Sequence, residues 1–233
     1  MKMVKIIAIL MSCCGLTLIA CDDFSYKRSE NNNDSSPKQI LYDKTKKEKL
    51  YNLGNTSGYE LTATTTNNGE TSEYIAAMKD HLIYRHYDQL TGGGFNYMVC
   101  RLINSGTSCA VTTYRDDLYE WGETVERGPE AFRSHFDSST EPFYEASSPD
   151  YYEKATYSGT EVISNKSTLR FDYTGYMGDT THLATFYVEE EYGLTVKSIH
   201  RYVRDHETLN VIEMNMTSFK IGDDVIVPQF KTI

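Results

Sequence analysis

Cysteine and histidine are the side chains here best able to do covalent or metal chemistry, and their spacing sorts them. Cys100 and Cys109 flank the stretch Asn104-Ser105-Gly106. A four-residue loop Ile103-Asn104-Ser105-Gly106, with the glycine left-handed, sets Leu102 opposite Thr107 and Cys100 opposite Cys109; a two-residue Ser105-Gly106 turn misaligns them. The first arrangement predicts a cross-strand disulfide, with a pair of free thiols as the alternative and a redox or metal site as a remote one. Closing so short a loop contributes about 2 to 3 kcal/mol in the entropic account. The six histidines are His81, His86, His135, His182, His200 and His206. None stands three or four positions from another, as a helical zinc motif requires. His81 and His86, five apart, fall on opposite faces of a strand. The acidic runs Glu189-Glu190-Glu191 and Asp223-Asp224 read as solvated turns. No Gly-x-Ser-x-Gly elbow or Cys-His nucleophile pattern occurs, and Gly92-Gly93-Gly94 lacks the Lys-Ser/Thr of a phosphate loop. The sequence therefore predicts a non-enzyme with no catalytic residues, no metal and no cofactor. An anchored hydrolase is the rival, and it needs Asp, Glu or His clustered in a cleft.

Cys21 belongs to different chemistry. Lys2 and Lys5 precede a nearly unbroken apolar or small run over residues 6–20. That run is shorter than the roughly 20 residues of a bilayer-spanning helix, so it reads as a removable signal peptide. It ends Leu18-Ile19-Ala20-Cys21, with a long aliphatic residue three places before the cysteine and a small one just before it. This resembles the lipobox of bacterial lipoproteins. The resemblance implies a diacylglyceryl group on the Cys21 thiol, further acylation such as palmitate, and cleavage that makes Cys21 the first residue. The alternative is an ordinary secretory signal with an incidental cysteine. Two or three acyl chains, at about 0.8 kcal/mol per buried methylene, anchor a protein durably. An extracytoplasmic protein tethered to the cell membrane or outer membrane is expected. Asp22 and Asp23 do not decide between the two membranes.

Composition excludes other classes. The 233 residues are 39% apolar and 24% charged, with a mean hydropathy of −0.50. That suffices for one ordinary core and excludes a multi-pass membrane protein. Removing residues 1–20 takes away Lys2 and Lys5 and no acidic residue, so the net charge moves from −10 to −12. No nucleic-acid partner is expected, because phosphate binding needs a concentrated positive field.

Three segments follow: a signal peptide over 1–20, a tether over 21–36 and a folded domain over 37–233. The tether contains Asn31-Asn32-Asn33-Asp34-Ser35-Ser36 and too little apolar content to offset its ordering entropy. Ser36-Pro37-Lys38-Gln39 has the form of a capping box, predicting a helix over about 37–53 closed by Gly54. From Tyr59 onward, alternation replaces helical spacing. Leu169, Phe171 and Tyr173 alternate with polar neighbours, as do Ile212, Met214 and Met216, each set giving a strand with one buried and one wet face. Less regular strands are predicted near 59–65, 72–78, 81–87, 95–102, 109–114, 181–188 and 194–203, although 72–87 also fits a helix. Turns fall at Asn68-Gly69, Lys79-Asp80, 92–94, Gly178-Asp179 and Tyr192-Gly193. One helical insert begins at Gly128-Pro129, with Phe132 and Phe136 one turn apart. The expectation is an antiparallel meander interrupted once by helix.

The C-terminal half resembles the periplasmic lipoprotein carrier and lipoprotein-sorting superfamily. Tyr157-Ser158-Gly159-Thr160-Glu161-Val162-Ile163 leading into the 169–173 strand matches one passage. Phe186-Tyr187-Val188-Glu189-Glu190-Glu191-Tyr192-Gly193-Leu194 matches its acidic hairpin, and Met216-Thr217-Ser218-Phe219 followed by Val227-Pro228-Gln229-Phe230 its closing strand. The resemblance implies a mainly β fold, an antiparallel incomplete half-barrel of about eleven strands with an N-terminal helix and a mid-chain helical insert, around an apolar cavity that shelters acyl chains. Phe171, Tyr173, Ile212, Met214 and Met216 are the candidate lining, and methionine suits a variable apolar ligand. Binding or transfer of a lipid or acyl-chain ligand is the expected function. The alternative is a structural or surface-interaction lipoprotein with a filled core, for which 19 tyrosines are equally suited. The oligomeric state is left open.

Overall fold

Turn chemistry and alternation build most of this chain. The computed structural model describes Leu53 and residues 56–89, 95–115 and 120–227, all within the unit Ser35–Ile233. The expected 37–53 helix lies outside these residues except for Leu53, which is fully buried. The segment from 72 to 87 is strand: β1 (Gly58–Asn67), β2 (Glu70–Lys79) and β3 (Leu82–Asp88) form a meander, continued by β4 (Phe95–Ile103) and β5 (Ser108–Arg115). Short strands β6 (Glu120–Trp121) and β7 (Val125–Arg127) both pair with β5. The second meander comprises β8 (Thr156–Ile163), β9 (Lys166–Met177), β10 (Thr180–Glu189), β11 (Thr195–Arg204) and β12 (Glu207–Ile221).

Among the described residues, four hairpins turn on two residues of positive φ: Asn68-Gly69, Asp80-His81, Ser164-Asn165 and Asp205-His206. That is the turn whose twist matches a right-handed sheet, and three of the four start with Asn or Asp, which tolerate the left-handed region. The expected Lys79-Asp80 turn therefore sits one residue later. Lys79 still pairs with Leu82, and His81 belongs to the turn.

All strands are antiparallel, in the order β6-β5-β4-β3-β2-β1-β12-β11-β10-β9-β8, with β7 joined to β5. The eleven strands on this path form an open sheet, not a closed barrel. Its two meanders meet at the β1–β12 seam, running from Tyr59 opposite Ile221 to Asn67 opposite Ile212.

Between the meanders lies the insert: α1 (Glu130–Thr140), a 3-10 segment (Glu141–Ser147) and α2 (Pro149–Tyr152). Ser139 and Thr140 donate their hydroxyls back to the Phe136 carbonyl at 2.9 and 3.0 Å, and Pro142 follows. Both features stop α-helix and tighten the chain into 3-10. The insert covers the inner face of the sheet. Phe136 meets Tyr59 edge-on at 5.7 Å, and Phe143 lies 5.9 Å from Tyr74. One core cluster gathers Tyr59, Leu61, Ala76, Ile83 and Met98 under Phe136 and Phe143. A second gathers Leu169, Phe171, Ala184, Phe186 and Val188 under Ala146.

Two sequence expectations are corrected in detail. Cys100 and Cys109 are joined by a disulfide, but they are not directly opposite. Cys100 faces Val111 and Cys109 faces Leu102, so the loop is 104–107 and the bridge runs diagonally between residues of one face, with Cα atoms 6.6 Å apart. Glu189 is not solvated: it is 5% exposed. Its carboxylate accepts the backbone N–H groups of Glu191, Tyr192 and Leu194 at 2.9, 2.7 and 3.1 Å, so it organises the β10–β11 turn from inside.

Candidate functional site: a polar island beneath the helical insert

Strand register places a small polar group in the middle of the apolar inner face. In the β10–β11 hairpin Ala184 faces His200 and His182 faces Tyr202, so His182 and His200 are diagonal neighbours. His182 Nε2 lies 3.0 Å from His200 Nδ1. Each histidine is 5% exposed. The His182 ring stacks on Tyr202 at 4.6 Å, nearly parallel at 6°.

The insert supplies the remaining partners. Glu145 Oε1 is 3.2 Å from His200 Nε2, and Glu145 Oε2 accepts the Ser198 hydroxyl at 3.1 Å. The neighbouring Ala146 N–H donates to Thr195 Oγ1 at 3.3 Å. Tyr151 closes the group from above, 4.8 Å from Phe186 and 5.0 Å from Tyr173.

These partners set the protons. With His200 Nε2 donating to the Glu145 carboxylate, its Nδ1 is the acceptor that suits the Nε2–H of His182. Burial lowers the His182 pKa, and electrostatic competition with the adjacent His200 lowers it further, against a smaller upward pull from Glu145. Burial raises the Tyr151 and Tyr202 hydroxyls, so both stay neutral. The Ser198 hydroxyl is committed to Glu145. What the arrangement offers is a pair of donors, Ser198 Oγ–H and His200 Nε2–H, aimed together at one carboxylate.

No group of three or more His, Cys, Asp or Glu side chains among the described residues is placed to hold a metal ion. The two imidazoles direct their facing nitrogens at each other, not at a common point.

The predicted lining residues divide around this island. Phe171, 1% exposed, faces Phe186, and Tyr173 faces Ala184. The Tyr173 ring folds over Gly175, where any Cβ would collide with it, and stands edge-on to His182 at 5.4 Å. Ile212 faces His200 and Met214 faces Ser198. Met216 faces Ala63 across the seam and packs against the first cluster. Three of the five thus border the histidine pair and its serine, Phe171 lies beyond Phe186, and Met216 lies farther off. Their inner-face surroundings are occupied by side chains of the insert. A depression of about 460 Å³ lies instead at the β1–β2 turn and on the opposite face of β12, where Thr66, Glu213 and Asn215 line it. Cys21 lies outside the described residues.

The histidine pair was not visible in sequence because its members are 18 residues apart. Parity is the available signal: His182, Ala184 and Phe186 share a face, as do Ser198, His200 and Tyr202. Joining the two sets requires the register, which a bulge between Tyr187 and Val188 shifts.

No protein-family model matches this chain, and no curated protein matches it. Among solved structures it is similar to that of MucB in complex with MucA(peri), at 11% identity, 82% coverage of this chain and a TM-score of 0.36. The match spans 59% of that chain's length. It is also similar to a DUF1329 family protein from Desulfovibrio piger, at 9% identity, covering 82% of this chain and 95% of that one, with a TM-score of 0.29.

Proposed function

We propose that this protein is a lipid-anchored, extracytoplasmic binding module that takes an apolar ligand on the inner face of its sheet, without catalysis. One observation carries the reading: an open sheet presents a largely apolar inner face, broken by one polar island, whose cover, among the described residues, is a helical insert seated mainly by aromatic side chains. Phe171, Tyr173, Ile212, Met214 and Met216 are the proposed lining. Lifting two aromatic side chains costs about 3 to 6 kcal/mol, and burying about ten methylenes returns about 8. An acyl chain can therefore replace part of the insert. The Cys100–Cys109 disulfide supports an oxidising compartment, and Leu18-Ile19-Ala20-Cys21 supports acylation at Cys21.

The test is titration of the chain carrying Cys21→Ala with the neutral apolar fluorophore N-phenyl-1-naphthylamine. Saturable binding reversed by dodecanol is expected. Absence of both saturation and co-purified lipid refutes the reading. Labelling with radioactive palmitate tests the anchor: label on the wild type and none on Cys21→Ser is the expected pattern.

The packed state of Phe171, Phe186 and Met214 favours a second reading, a structural or surface-interaction lipoprotein with a filled core. It predicts that the probe finds no saturable site.

A further inference from the structure

Ser198, His182 and His200 are an anomaly on the inner face. Each is at most 5% exposed, and each carries polar atoms into a floor otherwise made of Phe171, Ala184, Phe186 and Met214. Buried donors without acceptors are costly, so such a group needs a partner. In this structure the partner for both Ser198 and His200 is a carboxylate, and it comes from the element that must move if the floor is to receive a ligand. Once the insert lifts, Ser198 Oγ–H and His200 Nε2–H lose Glu145 together.

A ligand that ends in a carboxylate restores both hydrogen bonds, whereas a hydroxyl or ester head restores them only in part, being uncharged. The surroundings permit this exchange. The groups facing the pair are Glu145 and Tyr151 from the insert, Tyr173 from β9 and Tyr202 from β11. Glu145 is the one anion among them, and it leaves with the insert. Its side chain is already 32% exposed, so its return to water is short. From the island, Phe186 and then Phe171 continue the floor across β10 and β9, giving an apolar path for a chain whose head sits on His200.

We propose that Ser198, His200 and His182 form a receptor for the carboxylate of an acyl-chain acid, with Glu145 occupying it as an internal stand-in when no ligand is bound. This rests on the reading that the inner face takes an apolar ligand.

The experiment compares dodecanoic acid with 1-dodecanol as competitors for N-phenyl-1-naphthylamine at pH 7.5. The proteins are the Cys21→Ala chain and the same chain with Glu145→Gln, His200→Gln or Ser198→Ala. The acid is expected to compete about tenfold better than the alcohol, and Glu145→Gln to tighten probe binding while keeping or widening that ratio. His200→Gln and Ser198→Ala should each bring the ratio to within about twofold of unity. Should His200→Gln fail to fold, by circular dichroism, Ser198→Ala decides alone. Equal competition by acid and alcohol in every folded variant overturns the receptor and leaves the apolar site standing. A narrower ratio in Glu145→Gln also overturns it, since Glu145 would then support the site instead of blocking it. No probe binding in any variant sinks the apolar site and the receptor with it.

Discussion

His182 Nε2 stands 3.0 Å from His200 Nδ1, a separation at which one proton serves both nitrogens. Two imidazolium rings would aim N–H at N–H across that gap. The pair therefore resists full protonation, and acid is its natural disruptor.

The sign of the pH effect follows from burial. Burial, then competition with the adjacent His200, hold His182 below the ordinary histidine value, so the unfolded chain takes up its proton first, near pH 6.5. This part of the stability is complete above that pH and is lost as pH falls through the lowered folded value. Burial lowers His86 and His135 as well, and both act in the same direction. The urea midpoint should drop between pH 7.5 and 5.0, and His182→Gln should drop less. Equal drops would remove His182 from the account.

Glu189 gives a sharper mutational signature than its acidic neighbours. Its replacement by alanine strands three backbone N–H groups, that of Leu194 among them in a buried setting. A loss of about 1 to 3 kcal/mol is expected, with faster amide exchange at Glu191, Tyr192 and Leu194. Glu189→Gln keeps a neutral acceptor and should lose less, while Glu190→Ala should lie within about 0.5 kcal/mol of wild type.

Both cysteines of the bridge are fully buried, so mild reductant should leave the native disulfide intact and cleave it only after denaturation. The double replacement Cys100→Ala/Cys109→Ala should lower stability by about 2 to 3 kcal/mol through the loop it reopens. Denaturant titration of oxidised and mutant protein measures the difference directly.

Phe136 tests how firmly α1 is seated. It is 2% exposed and edge-on to Tyr59, so Phe136→Ala should cost about 3 to 5 kcal/mol. Limited proteolysis should shift toward the 130–152 region if the loss falls on the insert. Unchanged cleavage with the same loss of stability would place the damage in the sheet.

Local properties were legible in the sequence. Alternation in Leu169, Phe171 and Tyr173 and in Ile212, Met214 and Met216 marks β9 and β12, because a strand exposes and buries side chains with a period of two. Asn68-Gly69 and Gly178 mark turns because left-handed backbone selects those residue types. Pro129 and the Phe132–Phe136 spacing mark the insert, since proline suits a helix start and aromatics one turn apart share a face.

Only the tertiary structure decided the rest. The β1–β12 seam joins segments some 150 positions apart, a pairing no local pattern encodes. The direct or diagonal placement of Cys100 and Cys109 turned on a loop frame one residue wide, and the His182–His200 contact turned on a bulge. Glu189 looked solvated beside Glu190 and Glu191 until the turn folded its N–H groups around one of the three. Side-chain type and period are carried by neighbouring residues, whereas register, bulges and the seat of the insert emerge only when distant surfaces are packed together.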